Sequence, residues 1–185
     1  MELLKQLYGI SSKSGMEERM KSFVLDCVSD VELSVETDEI GNLFITKGEA
    51  ELYPCIAAHL DEIHSPCERT VIIEGNRIFT VDRLWNHVGC GADDKNGLWV
   101  IINLLHSEPI LKVALFVQEE RVGDNAGCRG ARACDLSFFN DVKFVLECDR
   151  KGSSDVVSIG KDELVLCHQD FIPQGILRRY GYEIV

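Results

Sequence analysis

With 185 residues, 45% of them hydrophobic and 27% charged, and with 15 Gly but only 4 Pro, the chain has the make-up of one compact globular domain, not of a disordered or collagenous protein. Its 31 acidic and 19 basic residues give a formal net charge of -12, and no Lys/Arg cluster is large enough to track a phosphate backbone, which argues against nucleic acid as a partner. No apolar run reaches the roughly 18 residues of a membrane span, and Met1 to Lys5 lacks the basic flank and apolar stretch of a secretory signal, so a cytoplasmic protein without a membrane partner is expected.

In chain order, residues 1 to 9 and 16 to 29 have helical spacing, with Ser14 before Glu17 and Glu18 as a cap signal for the second helix. "NLFIT" (42 to 46) and "CIAAH" (55 to 59) read as strands, and "VIIEGNRIFTV" (71 to 81) as two strands around a Gly75-Asn76 turn. After these the pattern alternates. "NGLWVIINLLHS" (96 to 107) suits a buried helix, "LKVALFVQ" (111 to 118) a strand, "AGCRGARACDLSFF" (126 to 139) a helix and "VKFVLEC" (142 to 148) a strand, with short strands expected at 156 to 159 and 164 to 168. Strands this apolar, alternating with helices, require cover on both faces. The expected fold class is therefore α/β: a three-layer α/β/α domain with a mostly parallel mixed sheet, spanning residues 1 to 185 without a linker or repeat.

Eight cysteines, at 27, 55, 67, 90, 128, 134, 148 and 167, form no CxxC pair and sit mostly in apolar stretches, so they read as reduced packing residues, not a zinc ribbon or disulfide framework.

The polar residues at the strand ends carry the functional signal. His59 and Asp61 follow one buried strand, Glu119 and Glu120 the next, and Asp149 the third, while Asp93 and Asp94 open the intervening helix. The carboxyl ends of parallel strands share one edge, where open α/β sheets form their binding crevice. Several carboxylates and an imidazole gathered there would repel one another unless protonated or neutralised by cations. A His/Asp/Glu set without Cys suits zinc, cobalt or manganese in a hydrolytic site, with Asp93 placed to bridge two ions at a helix N-terminus.

"HLD", "GADDKNG", "FVQEERVGDNAGCRGA" and the "ECD" strand end, in that order, resemble the co-catalytic zinc peptidase and deacylase superfamily, which includes peptidase T, glutamate-releasing carboxypeptidases and aminoacylases. The resemblance covers about residues 40 to 155, and "DEI" after His59 is similar to its aminopeptidase branch. It implies a zinc exopeptidase-like catalytic domain holding two Zn2+ ions, with Co2+ or Mn2+ as substitutes. It further implies that His59 and Asp149 bind one ion and Glu120 the other, that Asp93 bridges, that Asp61 orients His59, and that Glu119 is the general base. The implied substrate is a small peptide or N-acyl amino acid, and a homo-oligomer is compatible with the family.

The departure from the family lies at the C-terminus. Family members complete the second ion with a His near the end of a longer chain, beyond an inserted lid or dimerisation domain. Here 36 residues follow Asp149, and their one imidazole, His168 in "LVLCHQD", is too near Asp149 to match; a structural role is preferred for it. The ending "RRYGYEIV" fits a truncated chain with no lid domain.

Taken singly, Glu119-Glu120 would read as an exposed loop and Asp94 as a helix cap. His64, His87 and His106 read as surface or packing residues, with a reach to the site for His87 the weaker alternative, and Trp85 and Trp99 as core or rim. The leading expectation is a metal-dependent amide hydrolase of the aminopeptidase or tripeptidase kind. The alternative is a non-catalytic or truncated relative that keeps the fold as a binding or oligomerisation module.

Overall fold

The computed structural model describes residues 1 to 124 and 126 to 149, and the backbone of two short strands further on. Helices α1 (Glu2–Gly9) and α2 (Glu18–Cys27) precede strands β1 (Ser34–Thr37), β2 (Leu43–Lys47) and β3 (Tyr53–His59). A hairpin β4 (Thr70–Glu74) and β5 (Arg77–Val81), extended by β6 (His87–Val88), leads into α3 (Ala92–Ser107). Then follow β7 (Leu111–Phe116), the short α4 (Arg129–Ala133), a 3₁₀ turn (Leu136–Phe139), β8 (Val142–Glu147), and the parallel pair β9 (Asp155–Val156) and β10 (Glu183–Ile184).

The main sheet has the order β1-β2-β7-β3-β8. β7, β3 and β8 run parallel, with Ala57 opposite both Ala114 and Glu147, while β2 and β1 are added antiparallel at one edge. Alternation along the strands divides the core. Leu43, Ile45, Ile56, Ala58, Val113 and Leu115 pack with Leu7, Met20, Val24, Leu98, Ile101 and Leu105 of the three long helices. On the opposite face, Phe44, Cys55 and Ala114 pack against Phe138, Phe139 and Cys134. The result is the expected three-layer α/β arrangement, with the chain leaving β3 through α3 on one face and passing back over it by way of α4 on the other.

Three local expectations are corrected. The helix expected over 126 to 139 is only α4 and the 3₁₀ turn: Gly127 (φ 85°) and Cys128 (φ 52°) are left-handed, and Asp135 accepts the Ser137 N–H, an alternative to helical pairing. Ser14 does not cap α2; its N–H goes to the Glu62 carbonyl, and Glu17 occupies the cap position. Regular geometry in α3 starts only after Asp94, because Asp93 (ψ 107°) and Asp94 (ψ 40°) both have non-helical backbone angles. β1 was not expected at all. The strand expected at 156 to 159 is described only at Val156, and the one at 164 to 168, with His168, lies outside the described residues.

Candidate metal centre

Parallel pairing brings the ends of β3, β7 and β8 to one edge, and the acidic residues named from the sequence meet there around a single imidazole. His59, only 1% exposed, ends β3 with Nε2 2.8 Å from Asp93 Oδ1, 3.8 Å from Glu119 Oε2 and 3.8 Å from Asp149 Oδ2. Its Nδ1 faces Asp61 Oδ1 at 3.4 Å. The candidate ligand atoms of His59, Asp93 and Asp149 lie within 4.8 Å of one another, as do those of His59, Glu119 and Glu120. His59, Asp61, Asp93, Glu119, Glu120 and Asp149 are thus all brought together.

Local structure fixes each of them. Asp61, buried beside His59, accepts the N–H of Glu119 at 2.9 Å and of Glu120 at 3.0 Å, so one carboxylate holds the turn after β7 and also faces the imidazole. Glu17 Oε1 reaches the same turn from the N-terminal segment by accepting the Gln118 N–H. Asp94 Oδ1 accepts the Gly97 N–H and caps the regular part of α3, which leaves Asp93, one residue earlier, facing the cleft. Gly97 has to be glycine here because a Cβ would lie about 2.4 Å from the Asp94 carboxylate.

A deeper group was missed by the sequence reading. Glu62, Arg69 and Lys95 form a buried ionic cluster. Glu62 Oε2 accepts from Lys95 Nζ at 2.6 Å and from Arg69 at 3.0 Å, Lys95 also donates to the carbonyls of Ile10 and Cys90, and Arg69 donates to that of Gly89. These bonds pin the Gly89–Gly91 turn that delivers Asp93. Gly91 (φ 64°) packs so closely on this cluster that a Cβ would meet Glu62 at 2.0 Å. Burial pulls the Lys95 pKa down to about 8 against the pull of Glu62, so its ammonium is still charged at neutral pH.

Among the described residues the other histidines lie elsewhere: exposed His87 lies against Phe79, His106 bonds to the Cys27 carbonyl, and His64 packs over Gly89. Trp85, 75% exposed on the β5–β6 turn, is no part of the core. The described cysteines are free thiols.

The electrostatics show a site short of positive charge. Burial opposes protonation of His59, but Asp61 and Asp93 override it and raise its pKa to about 10. Burial, then the hydrogen bond and charge of Asp93, push Asp149 up to about 7; burial and Asp93 also raise Glu120. Asp61 is held low, burial being outweighed by His59 and the turn N–H groups. Among the described residues the set is one imidazole with several carboxylate oxygens and no thiolate, which suits zinc, cobalt or manganese, and the close-set oxygens fit such ions.

No family model matches the chain, and no curated protein matches it in sequence. Solved structures do. An aminopeptidase PepT from Bacillus cereus is 20% identical with a TM-score of 0.69, and a tripeptidase from Staphylococcus aureus is 20% identical with a TM-score of 0.66; each match covers 85% of this chain and 44% of the other. The TET1 peptidase of Pyrococcus horikoshii, which can assemble into a tetrahedron or a large octahedral shell, is 16% identical with a TM-score of 0.60, covering 99% of this chain and 82% of the other. The chain shares the fold of these peptidases and spans less than half the length of the first two.

Proposed function

We propose that the chain carries the catalytic edge of a metal-dependent amide hydrolase acting on small peptides or N-acyl amino acids, of the aminopeptidase or tripeptidase kind, in the cytoplasm. The observation that carries this is the convergence of Asp93, Glu119 and Asp149, from three separate segments, within 3.8 Å of His59 Nε2. The peptidases that share the fold support it.

In this reading His59 and Asp149 hold one ion, Glu120 a second, and Asp93 is shared between them, with zinc preferred over cobalt or manganese. When bound, the ions supply Lewis-acid polarisation of the scissile carbonyl and of water. Asp61 keeps a proton on His59 Nδ1, so that Nε2 presents its lone pair to the cleft. Glu119, whose side chain is 26% exposed and whose Oε2 faces the cleft, takes a proton from the attacking water as its oxygen bonds to the carbonyl carbon. It then delivers that proton to the amine nitrogen as the C–N bond breaks. Assembly into homo-oligomers belongs to the same proposal, as the Pyrococcus peptidase assembles.

A second reading, a non-catalytic relative serving as a binding or oligomerisation module, is favoured by one observation: among the described residues, His59 is the only imidazole at the site. Reconstitution with zinc separates the two. Two ions per chain and hydrolysis of Leu-, Ala- or Gly-peptides support the enzyme; one ion or none, without turnover, supports the module. Within the enzyme reading, Glu119→Gln abolishes hydrolysis and keeps the metal, whereas Asp93→Ala loses metal; equal metal loss in both overturns these roles.

A further inference from the structure

Glu119 is restrained in a way the metal chemistry does not require. Its N–H is held by Asp61 at 2.9 Å, and its carbonyl accepts the N–H of Cys128 at 2.6 Å. The segment between them closes on itself through the left-handed Gly127 and Cys128, and a Cβ on Gly127 would lie about 3.0 Å from the Glu119 carbonyl. This closure places the Cys128 thiol against the Glu119 side chain, where Sγ donates to Oε1 at 3.3 Å. The two carboxylate oxygens are therefore distinct: Oε1 faces the thiol and Oε2 faces His59 Nε2 at 3.8 Å.

From this geometry the structure assigns to Cys128 the role of a positioning residue, whose S–H holds Glu119 Oε1 and so turns Oε2 toward the metal cleft. A carboxylate free to rotate about its terminal torsion samples a broad, roughly two-fold well, and productive proton transfer needs the accepting oxygen within hydrogen-bond reach of the attacking water. The thiol narrows that well at the cost of a weak donor only. Burial, followed by the bond to Glu119, raises the Cys128 pKa, which keeps the proton on sulfur and the donor intact. The assignment rests on Glu119 being the base, but the contact itself is testable without turnover.

Two measurements on the 185-residue chain separate the contact from the chemistry. First, in metal-free protein at pH 8, iodoacetamide labelling of Cys128 is followed by peptide mass spectrometry in wild type and Glu119→Gln. The isosteric Gln keeps the shape and removes the charge that raises the thiol pKa, so Cys128 is expected to alkylate several-fold faster; an unchanged rate overturns the assignment. Second, in zinc-loaded protein, Cys128→Ala is expected to lower kcat about tenfold, the scale of one lost hydrogen bond, with KM and zinc content unchanged. Cys128→Ser, which keeps a donor at the same place, should restore kcat. Wild-type kcat in Cys128→Ala, or a loss of kcat that Cys128→Ser does not restore, overturns the assignment. A wild-type chain that hydrolyses nothing, with labelling still accelerated in Glu119→Gln, supports the contact and refutes the hydrolase reading instead.

Discussion

If the cleft takes a metal as proposed, protons compete with it for the same side chains, and the competition has a definite size. In the metal-free protein His59 has a pKa of about 10, so at pH 7 its imidazole is fully protonated, and Asp149, at about 7, is about half protonated. An ion bound by these two side chains displaces about 1.5 protons at pH 7. For His59 the measurement lies about three pH units below the pKa, a cost of about 4 kcal/mol, or about a thousandfold in apparent affinity. The sign follows from the direction of the shift: a raised His pKa favours the protonated, metal-free form below about pH 10, so affinity climbs with pH, by about tenfold per unit between pH 7 and 9. Isothermal titration of zinc or cobalt in buffers of different ionisation enthalpy reads the proton count directly. An affinity flat over that range, or a heat independent of buffer, would show that the ion does not displace the His59 proton and would refute the reasoning.

Two further perturbations test the supports of the site. Lys95→Met leaves buried Glu62 short of one of its two cations and the Cys90 carbonyl without the ammonium, while the Ile10 carbonyl keeps Arg69, which is expected to cost about 3–5 kcal/mol and lower Tm by about 6–20 °C; a control, Arg83→Ala, removes only an exposed pair with Glu68 and should shift Tm by about 2 °C at most. Equal calorimetric shifts for the two variants would contradict the role given to the cluster. Asp61→Asn cannot accept both turn N–H groups with carboxylate oxygens while facing His59 Nδ1, so zinc affinity by competition with a chelator should fall about 10–100-fold with the fold retained by circular dichroism. Unchanged affinity would remove Asp61 from the site.

What the sequence revealed of this molecule follows from which signals are local. Strands β3, β7 and β8 are legible as apolar runs, and His59 at the end of β3, Glu119 just past β7 and Asp149 just past β8 converge because parallel strands share a carboxyl edge. β1 is not legible: Ser34 to Thr37 are all exposed, so no burial pattern marks them, and only pairing with β2 makes them a strand. The Glu62–Arg69–Lys95 cluster is equally silent, since three charged residues separated by 7 and 26 positions look like solvated surface until the chain folds them under Gly91. The contact of Cys128 with Glu119 is not legible either, because it depends on left-handed Gly127 and Cys128, which a helical period over 126 to 139 conceals.

The central claim is that cations make this gathering of acidic side chains tolerable. Anomalous diffraction at the zinc absorption edge, from crystals grown with zinc, tests it most directly. Two peaks about 3.5–4 Å apart are expected, one beside His59 and Asp149 and the other beside Glu120, with Asp93 between them. Density at this edge of the sheet that shows no anomalous peak, with the carboxylates holding protons instead, would contradict it.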